Sequence, residues 1–397
     1  MNHPTLVAPR RILMTTDPIG GVWTYTMELC EVLAEHEVHV LLASMGETPR
    51  PDQRAQVQRL PNVEFAESEF RLEWMDSPWK DVDDAGEWLL ELERGFNPDV
   101  VHLNGYAHGA LHFRSPKLIV AHSCVLSWWR AVKSSPIPHR CREYTRRVRA
   151  GLLGASMLVA PTRAMLIGLE AQYAPFLSGE VIYNGRNPEK FKVRTKEERI
   201  LGVGRLWDEA KNISMLAEIA PQLPWPVFVA GECNGPDGQR LNSRNLQVVG
   251  RLTESGLIDE YERSAIFAAP ARYEPFGLSV LEAALAGCAL VLGDIPSLRE
   301  LWSGAAEFVN PSDRTALRDR IRHLIKRPLR RQALADKARG RALQMNSQKM
   351  GEAYWSAYAD VMMTRVPAAQ ETGSPLLNDP AVFVPLTGRP ALRRHSH

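Results

Sequence analysis

Short apolar runs alternate with helix-patterned stretches along most of this chain, and they do so in two separate series. In the first half Arg11–Thr16, 38–43, Val100–Leu103, 118–121 and Met157–Ala160 read as buried strands. A helix with Val22, Thr26, Leu29 and Leu33 on one face follows the first run, and another begins at Thr162. After Asn184-Gly185 a second series runs through 200–204, 227–231, 246–250, 266–270, 289–292 and Glu307–Val309. Its helices are expected near 213–222, 277–286, Pro296–Trp302 and 313–325. Strands separated by helices need crossover connections, which give parallel sheets covered on both faces. Two series in succession therefore predict an α/β protein of two doubly wound domains, 1–183 and 184–347. Ligands of such sheets bind beyond the carboxyl ends of the strands, so the site is expected in a cleft between the domains.

A further helix, 348–364, puts Met350, Tyr354, Ala357, Tyr358, Val361 and Met362 on one face, and residues 348–365 are expected to cross back onto the first domain. Residues 366–397 hold five prolines without periodicity and read as a flexible tail. With 45% hydrophobic and 24% charged residues over 397 positions, the chain is neither wholly disordered nor a disulfide scaffold. Lys plus Arg number 48 against 46 Asp plus Glu, which gives no whole-molecule attraction to nucleic acid. Five scattered cysteines without a C-x-x-C, no apolar run near the ~18 residues of a membrane span and no secretory leader predict a cytoplasmic protein. Residues 64–93 carry eleven acidic against two basic residues and read as a solvated loop and helix.

The chemistry concentrates in one strand–loop–helix unit. Glu274 precedes Pro275-Phe276-Gly277, and the pattern turns helical through Leu278, Leu281, Glu282 and Leu285. The helix start offers unpaired backbone N–H groups and a positive dipole end, which together bind phosphate. Glu282, about 7–8 Å along the helix, can accept two hydrogen bonds from a ribose diol. Glu274 then lies on the sugar side of the same phosphate. Arg205 leaves a strand end where its guanidinium can grip a diphosphate with two bonds, and Lys211 adds a point charge. Gly20-Gly21, between the first strand and its helix, lets backbone approach a phosphate closely. This pair is not the G-x-G-x-x-G of dinucleotide-binding dehydrogenases.

Glu274-Pro-Phe-Gly-Leu-x-x-x-Glu282 resembles the Glu-x7-Glu signature of retaining nucleotide-sugar glycosyltransferases of the GT-B fold. The likeness is to their large family 4, and it spans roughly residues 10–365. It extends to Gly202-Val-Gly-Arg-Leu206, Tyr183-Asn184-Gly185 and Gly20-Gly21. The resemblance implies two Rossmann-like domains facing a cleft. It also implies that Glu274 contacts donor-sugar hydroxyls, Glu282 the ribose, and the amides of Phe276, Gly277 and Leu278 sugar or phosphate. His122, after the 118–121 strand, resembles a family histidine that reaches the donor sugar. In the family pattern the lysine stands five residues after the arginine, whereas Lys211 stands six after Arg205.

The acceptor side is read from the residues nearby: Asp17 as a hydroxyl contact, and Trp128 and Trp129 as rings that could stack on a sugar. Seven basic residues against Glu143 alone in 130–149 suit an anionic acceptor, a peripheral membrane surface or simply a solvated face. His108 and His112 are spaced i, i+4, but Gly105 and Gly109 interrupt the stretch and no carboxylate stands in ligand spacing. Asp81-Val-Asp83 spells the D-x-D of the other glycosyltransferase fold, away from any strand end, and reads as coincidence, so no metal site is expected. The expectation is a metal-independent retaining enzyme that moves a hexose from a UDP- or GDP-sugar to a hydroxyl acceptor (a glycan, a lipid-linked molecule or a small molecule), with no other cofactor. The alternatives are a phosphorylase or a nucleotide-sugar epimerase on the same scaffold, or a non-catalytic nucleotide-sugar binder.

Overall fold

The computed structural model describes residues 8–133, 135–173, 179–235, 238 and 240–363, and the tail reading for 366–397 lies outside the described residues. Seven strands form the first sheet: β1 (Arg11–Thr16), β2 (His39–Ser44), β3 (Val63–Glu67), β4 (Val100–Leu103), β5 (Lys117–Val120), β6 (Met157–Ala160) and β7 (Gly179–Val181). Their order is β3-β2-β1-β4-β5-β6-β7, every neighbouring pair being parallel. The second sheet holds β8 (Glu197–Val203), β9 (Val227–Ala230), β10 (Gln247–Gly250), β11 (Ser264–Ala269), β12 (Ala289–Gly293) and β13 (Glu307–Val309). Its order, β10-β9-β8-β11-β12-β13, repeats the pattern of the first six strands of the other sheet. Both are doubly wound α/β sheets with a reversal of strand order beside the first strand, the place where such folds bind ligands.

Alternate side chains feed opposite faces. In the first sheet Leu13, Val101 and Ile119 join one core, while Ile12, Met14, Val100 and Leu118 join the other. The second sheet divides Ile200, Val229 and Ile266 from Leu201, Phe267 and Leu290 in the same way. Near-continuous apolar strands result because helices cover both faces. The helix Ser347–Met363 comes last in the described chain yet packs on the first sheet, contributing Met350, Tyr354, Ala357, Tyr358 and Val361 to the core around Ile12 and Met14. No described helix is long and apolar enough to cross a membrane.

The sequence reading missed β3 and β7, both edge strands. The β3 sequence, VEFAE, is half exposed and opens the acidic 64–93 stretch, so charge hid its pairing with β2. A three-residue strand such as β7 offers too little periodicity to read. The polar helices Glu254–Arg263 and Pro328–Ala342 were missed as well, because little of either is apolar. The helices Pro51–Gln58 and Val125–Val132 were not read either, and among the elements that were read the boundaries moved by a residue or a few. The helix near 313–325, for example, is Arg314–Lys326, with Asp313 capping it through an Ala316 amide bond of 2.9 Å.

Candidate active site

The loop after β11 is fixed before any ligand arrives. The Arg272 amide donates to Ala210 O at 2.8 Å, and the Ser297 hydroxyl donates to the Glu274 carbonyl. Gly277 then caps the helix Leu278–Leu285. Lys211 Nζ lies 2.5 Å from Glu274 Oε2. The long Arg205–Lys211 spacing is absorbed by two successive turns, Asp208 N to Arg205 O at 3.0 Å and Lys211 N to Asp208 O at 2.9 Å. Arg205 Nη2 is held 2.8 Å from Asp208 Oδ2. Burial opposes ionisation of Asp208, yet Arg205, the Ala210 amide and Trp128 hold its carboxyl below the ordinary value.

The loop after β1 faces this unit. Gly20 has φ +76°, and a Cβ built there would stand 4.0 Å from Arg205 Nη1. One built on Gly21 would meet Leu278 Cδ1 at 3.4 Å. The carboxyl ends of β1, β8 and β11 therefore converge on one cleft. Asp17 lies on the same loop, its Oδ1 accepting from the Ile19 amide at 2.9 Å. Burial pushes its carboxyl up to about 7, with the Ile19 amide and Arg205 pulling the other way. His122 follows β5, and its Nε2 lies 2.7 Å from Asn104 Oδ1. Burial, and then the neighbouring His102, lowers the His122 imidazole to about 3, so it is neutral at physiological pH.

Glu282 is not an open carboxylate. Its Oε1 sits 3.0 Å from Nε of Arg186, a residue only 2% exposed. The same guanidinium reaches Glu28 Oε1 at 2.5 Å and Glu254 Oε1 at 2.8 Å. Lys190 Nζ adds contacts of 2.9 Å to Glu28 and to Glu31. Burial raises the Glu282 carboxyl, while Arg186 and Tyr261 offset part of that rise. This cluster ties the helix Gly21–Glu35 to the second sheet's helices through residues just after the crossover.

Further bonds close the cleft's far side. Glu300 accepts from the Arg163 and Ala164 amides at 2.9 Å each, and Thr162 Oγ1 donates to Pro275 O at 2.8 Å. The Cys124 amide donates to the Tyr273 hydroxyl at 3.1 Å.

Comparison with known proteins bears on the fold and the family. The family model described as "Glycosyl transferases group 1" matches residues 184–341, and "Glycosyltransferase Family 4" matches 19–190. The two models together span residues 19–341, so each half of the chain matches a glycosyltransferase model. A glycogen synthase of Mycobacterium tuberculosis is 28% identical over 280 residues, which is 64% of this chain and 66% of that relative's own length. Among solved structures, sucrose-phosphate synthase from Thermosynechococcus elongatus superposes with TM-score 0.75 at 17% identity, covering 89% of this chain and 99% of that one. Anabaena HepE, determined in complex with UDP and glucose, gives TM-score 0.71 at 14% identity, covering 88% of this chain and all of the other. These structures share the GT-B fold.

The remaining sequence-derived positions of this glycosyltransferase fall on both sides of the cleft. The Phe276 side chain is buried in the core that holds Leu201, Phe267 and Leu290. Trp128 Nε1 donates to Asp208 Oδ1 at 3.1 Å, and Trp129 Nε1 donates to Ser135 O at 3.0 Å. Within 130–149, Lys133 pairs with Glu209, while Arg146 and Arg147 pair with Glu143 and Arg147 also with Asp83. Three of those seven basic residues are thus paired with carboxylates of the chain. Asp81 and Asp83 sit on the helix Trp79–Phe96, where Asp81 accepts from the Arg71 amide. Sequence reasoning missed Asp208, Asn104 and Arg186. Asp208 follows Arg205 at the spacing of a turn contact, which could have been read, but nothing local marks the other two.

Proposed function

We propose that this glycosyltransferase moves a hexose from a UDP- or GDP-sugar to a hydroxyl acceptor with retention of configuration, in the cleft where β1, β5, β8 and β11 end. The observation that carries the reading is the Lys211–Glu274 contact of 2.5 Å with Arg205 alongside Gly20, because it joins a diphosphate-binding pair to a sugar-binding carboxylate. Arg205, Lys211 and the amides of Phe276, Gly277 and Leu278 take the diphosphate, with the Gly20-Gly21 backbone approaching from the other side. Glu274 and His122 take sugar hydroxyls, and the Glu282 oxygen not drawn to Arg186 takes the ribose. Asp17 contacts the acceptor hydroxyl. In the reaction the bond from C1 to the diphosphate oxygen breaks. The acceptor oxygen then bonds to C1 on the same face, and its proton passes to the departing phosphate. No protein nucleophile is assigned. Two cationic side chains and a helix start meet the leaving group's charge, which supports activity without a divalent cation.

The neighbour bound to UDP supports trying UDP-sugars first, and the glycogen synthase likeness supports a glycan acceptor. The test is incubation of the full chain with UDP-glucose, GDP-mannose and acceptors in EDTA, with the anomer read by NMR. Nucleoside diphosphate release that depends on acceptor, with a retained anomer, is the expected result. An epimer from donor alone, or activity only after manganese is restored, overturns it. Arg205→Ala should lower kcat/KM by about 2–4 kcal/mol equivalent while leaving the melting temperature nearly unchanged.

A further inference from the structure

Behind His122 lies a buried chain of hydrogen bonds whose direction can be worked out. The Asn104 side-chain nitrogen Nδ2 is 2.6 Å from the Thr15 carbonyl, and the Asn104 amide donates to Thr15 Oγ1 at 2.8 Å. A carbonyl only accepts, so the side-chain amide is oriented with Oδ1 on the opposite side. That oxygen is 2.7 Å from His122 Nε2 and 3.1 Å from His102 Nε2. Each histidine must therefore carry its proton on Nε2. Because burial keeps His102 neutral, its Nδ1 is an acceptor, and the Tyr358 hydroxyl at 2.7 Å donates to it. Tyr358 belongs to the helix Ser347–Met363. The Tyr25 ring packs edge-on against His122 at 4.7 Å between centroids, and its hydroxyl lies 3.3 Å from His102 Nε2. Among the described residues His122 Nδ1 has no hydrogen-bond partner.

We propose that Asn104 is a positioning residue that holds His122 as the Nε2–H tautomer and leaves Nδ1 as an acceptor for a donor-sugar hydroxyl. His102 and Tyr358 lock Asn104 from behind. This rests on the reading of His122 as a donor-sugar contact. An imidazole in the other tautomer, or protonated, presents N–H at that position and cannot accept from a hydroxyl.

The test is long-range ¹H–¹⁵N NMR on the full chain with labelled histidine, combined with kinetics on Asn104→Asp. Wild-type His122 should remain neutral with Nδ1 unprotonated from pH 5 to 9. Tyr25 packs against it and His102 lies behind it, with Tyr354 and Tyr358 in turn against His102, and none of these is charged in that range. In Asn104→Asp a carboxylate facing two imidazoles should give His122 a titration inside that range. Transfer should fall tenfold or more at pH 6 relative to pH 8, with UDP affinity unchanged within twofold. A proton found on Nδ1 in the wild type, or an unaltered pH profile in Asn104→Asp, overturns the proposal. Tyr358→Phe should lower transfer only two- to fivefold, and a loss as large as that of Asn104→Asp would put the lock in the last helix instead. Full transfer by His122→Ala removes the sugar-contact reading, while the NMR result still decides the tautomer, so the two failures are separable.

Discussion

Two buried polar networks leave the same helix, Gly21–Glu35, and they differ in kind. Tyr25 joins a neutral one with His102, Asn104, His122, Tyr354 and Tyr358. One turn on, Glu28 joins an ionic one with Arg186, Lys190, Glu254 and Glu282. The neutral network joins elements of the first sheet to the last helix, whereas the ionic one reaches across to the second sheet. A neutral network costs little to bury once each polar group is paired, and it gives fixed direction. A buried ion cluster sacrifices solvation for attraction, so removing one member leaves charge uncompensated. The loop that carries Gly20 and Gly21 is thus held from behind by two anchors with different sensitivities.

Removing the neutral anchor should have the largest effect. A chain ended at residue 346 lacks Tyr354 and Tyr358 and exposes the core around Ile12 and Met14, so it should aggregate on expression. A soluble, active product would show that the first sheet needs nothing from that helix. Arg186→Ala should break the ionic anchor alone. It leaves Glu28, which is 0% exposed, without its guanidinium, and should cost about 3–5 kcal/mol in urea unfolding. A loss below about 1 kcal/mol would mean that Lys190 carries the cluster instead.

Acid distinguishes the two further. Burial lowers His102 and His122 to about 3, below the ordinary 6.5. The unfolded chain therefore takes up protons first, and stability should fall as pH drops from about 6.5 towards 3. Each histidine contributes up to about 1.4 kcal/mol per pH unit in that window. Replacing His102 by Asn should shallow the slope of the urea midpoint against pH, and an unchanged slope would mean that His102 is already charged when folded. The smallest effect is expected at Asp17. Its folded value of about 7 lies above the ordinary 3.8, so ionising it destabilises the fold as pH rises from about 4 to 7. Asp17→Asn should raise the melting temperature by about 2–4 °C at pH 8 and hardly at all at pH 4, while impairing transfer.

The periodicity of the buried strands made the two-sheet plan readable, because strands covered on both sides have continuous apolar sequence. The edge strands β3 and β7 escaped because one side faces solvent and charge masks the pattern. At the site, Glu274, Arg205, Lys211, Gly20 and Gly21 were legible from turns and strand ends, and the structure brings them within reach of one another. Arg186 was not. Its partners Glu28, Glu254 and Glu282 are far apart in the chain, and only the folded crossover assembles them. Asn104 was missed for a similar reason, since its meaning comes from Thr15 and His122 converging on it.

The last helix also sets a timetable. β7 closes the first sheet at Val181, but Met350, Tyr354 and Tyr358 complete its core, and Gly351 lets the helix backbone approach so closely that a Cβ there would lie 2.2 Å from Val32 Cγ1. A ribosome making about 5–20 residues per second needs roughly 10–35 seconds to cover the roughly 170 residues between. Throughout that interval the nascent first sheet carries an unfinished apolar face, while the second sheet, lying wholly inside the intervening segment, can complete its strand pairing. Translation speed and chaperone access between residues 181 and 363 therefore act on a first sheet whose core is still incomplete.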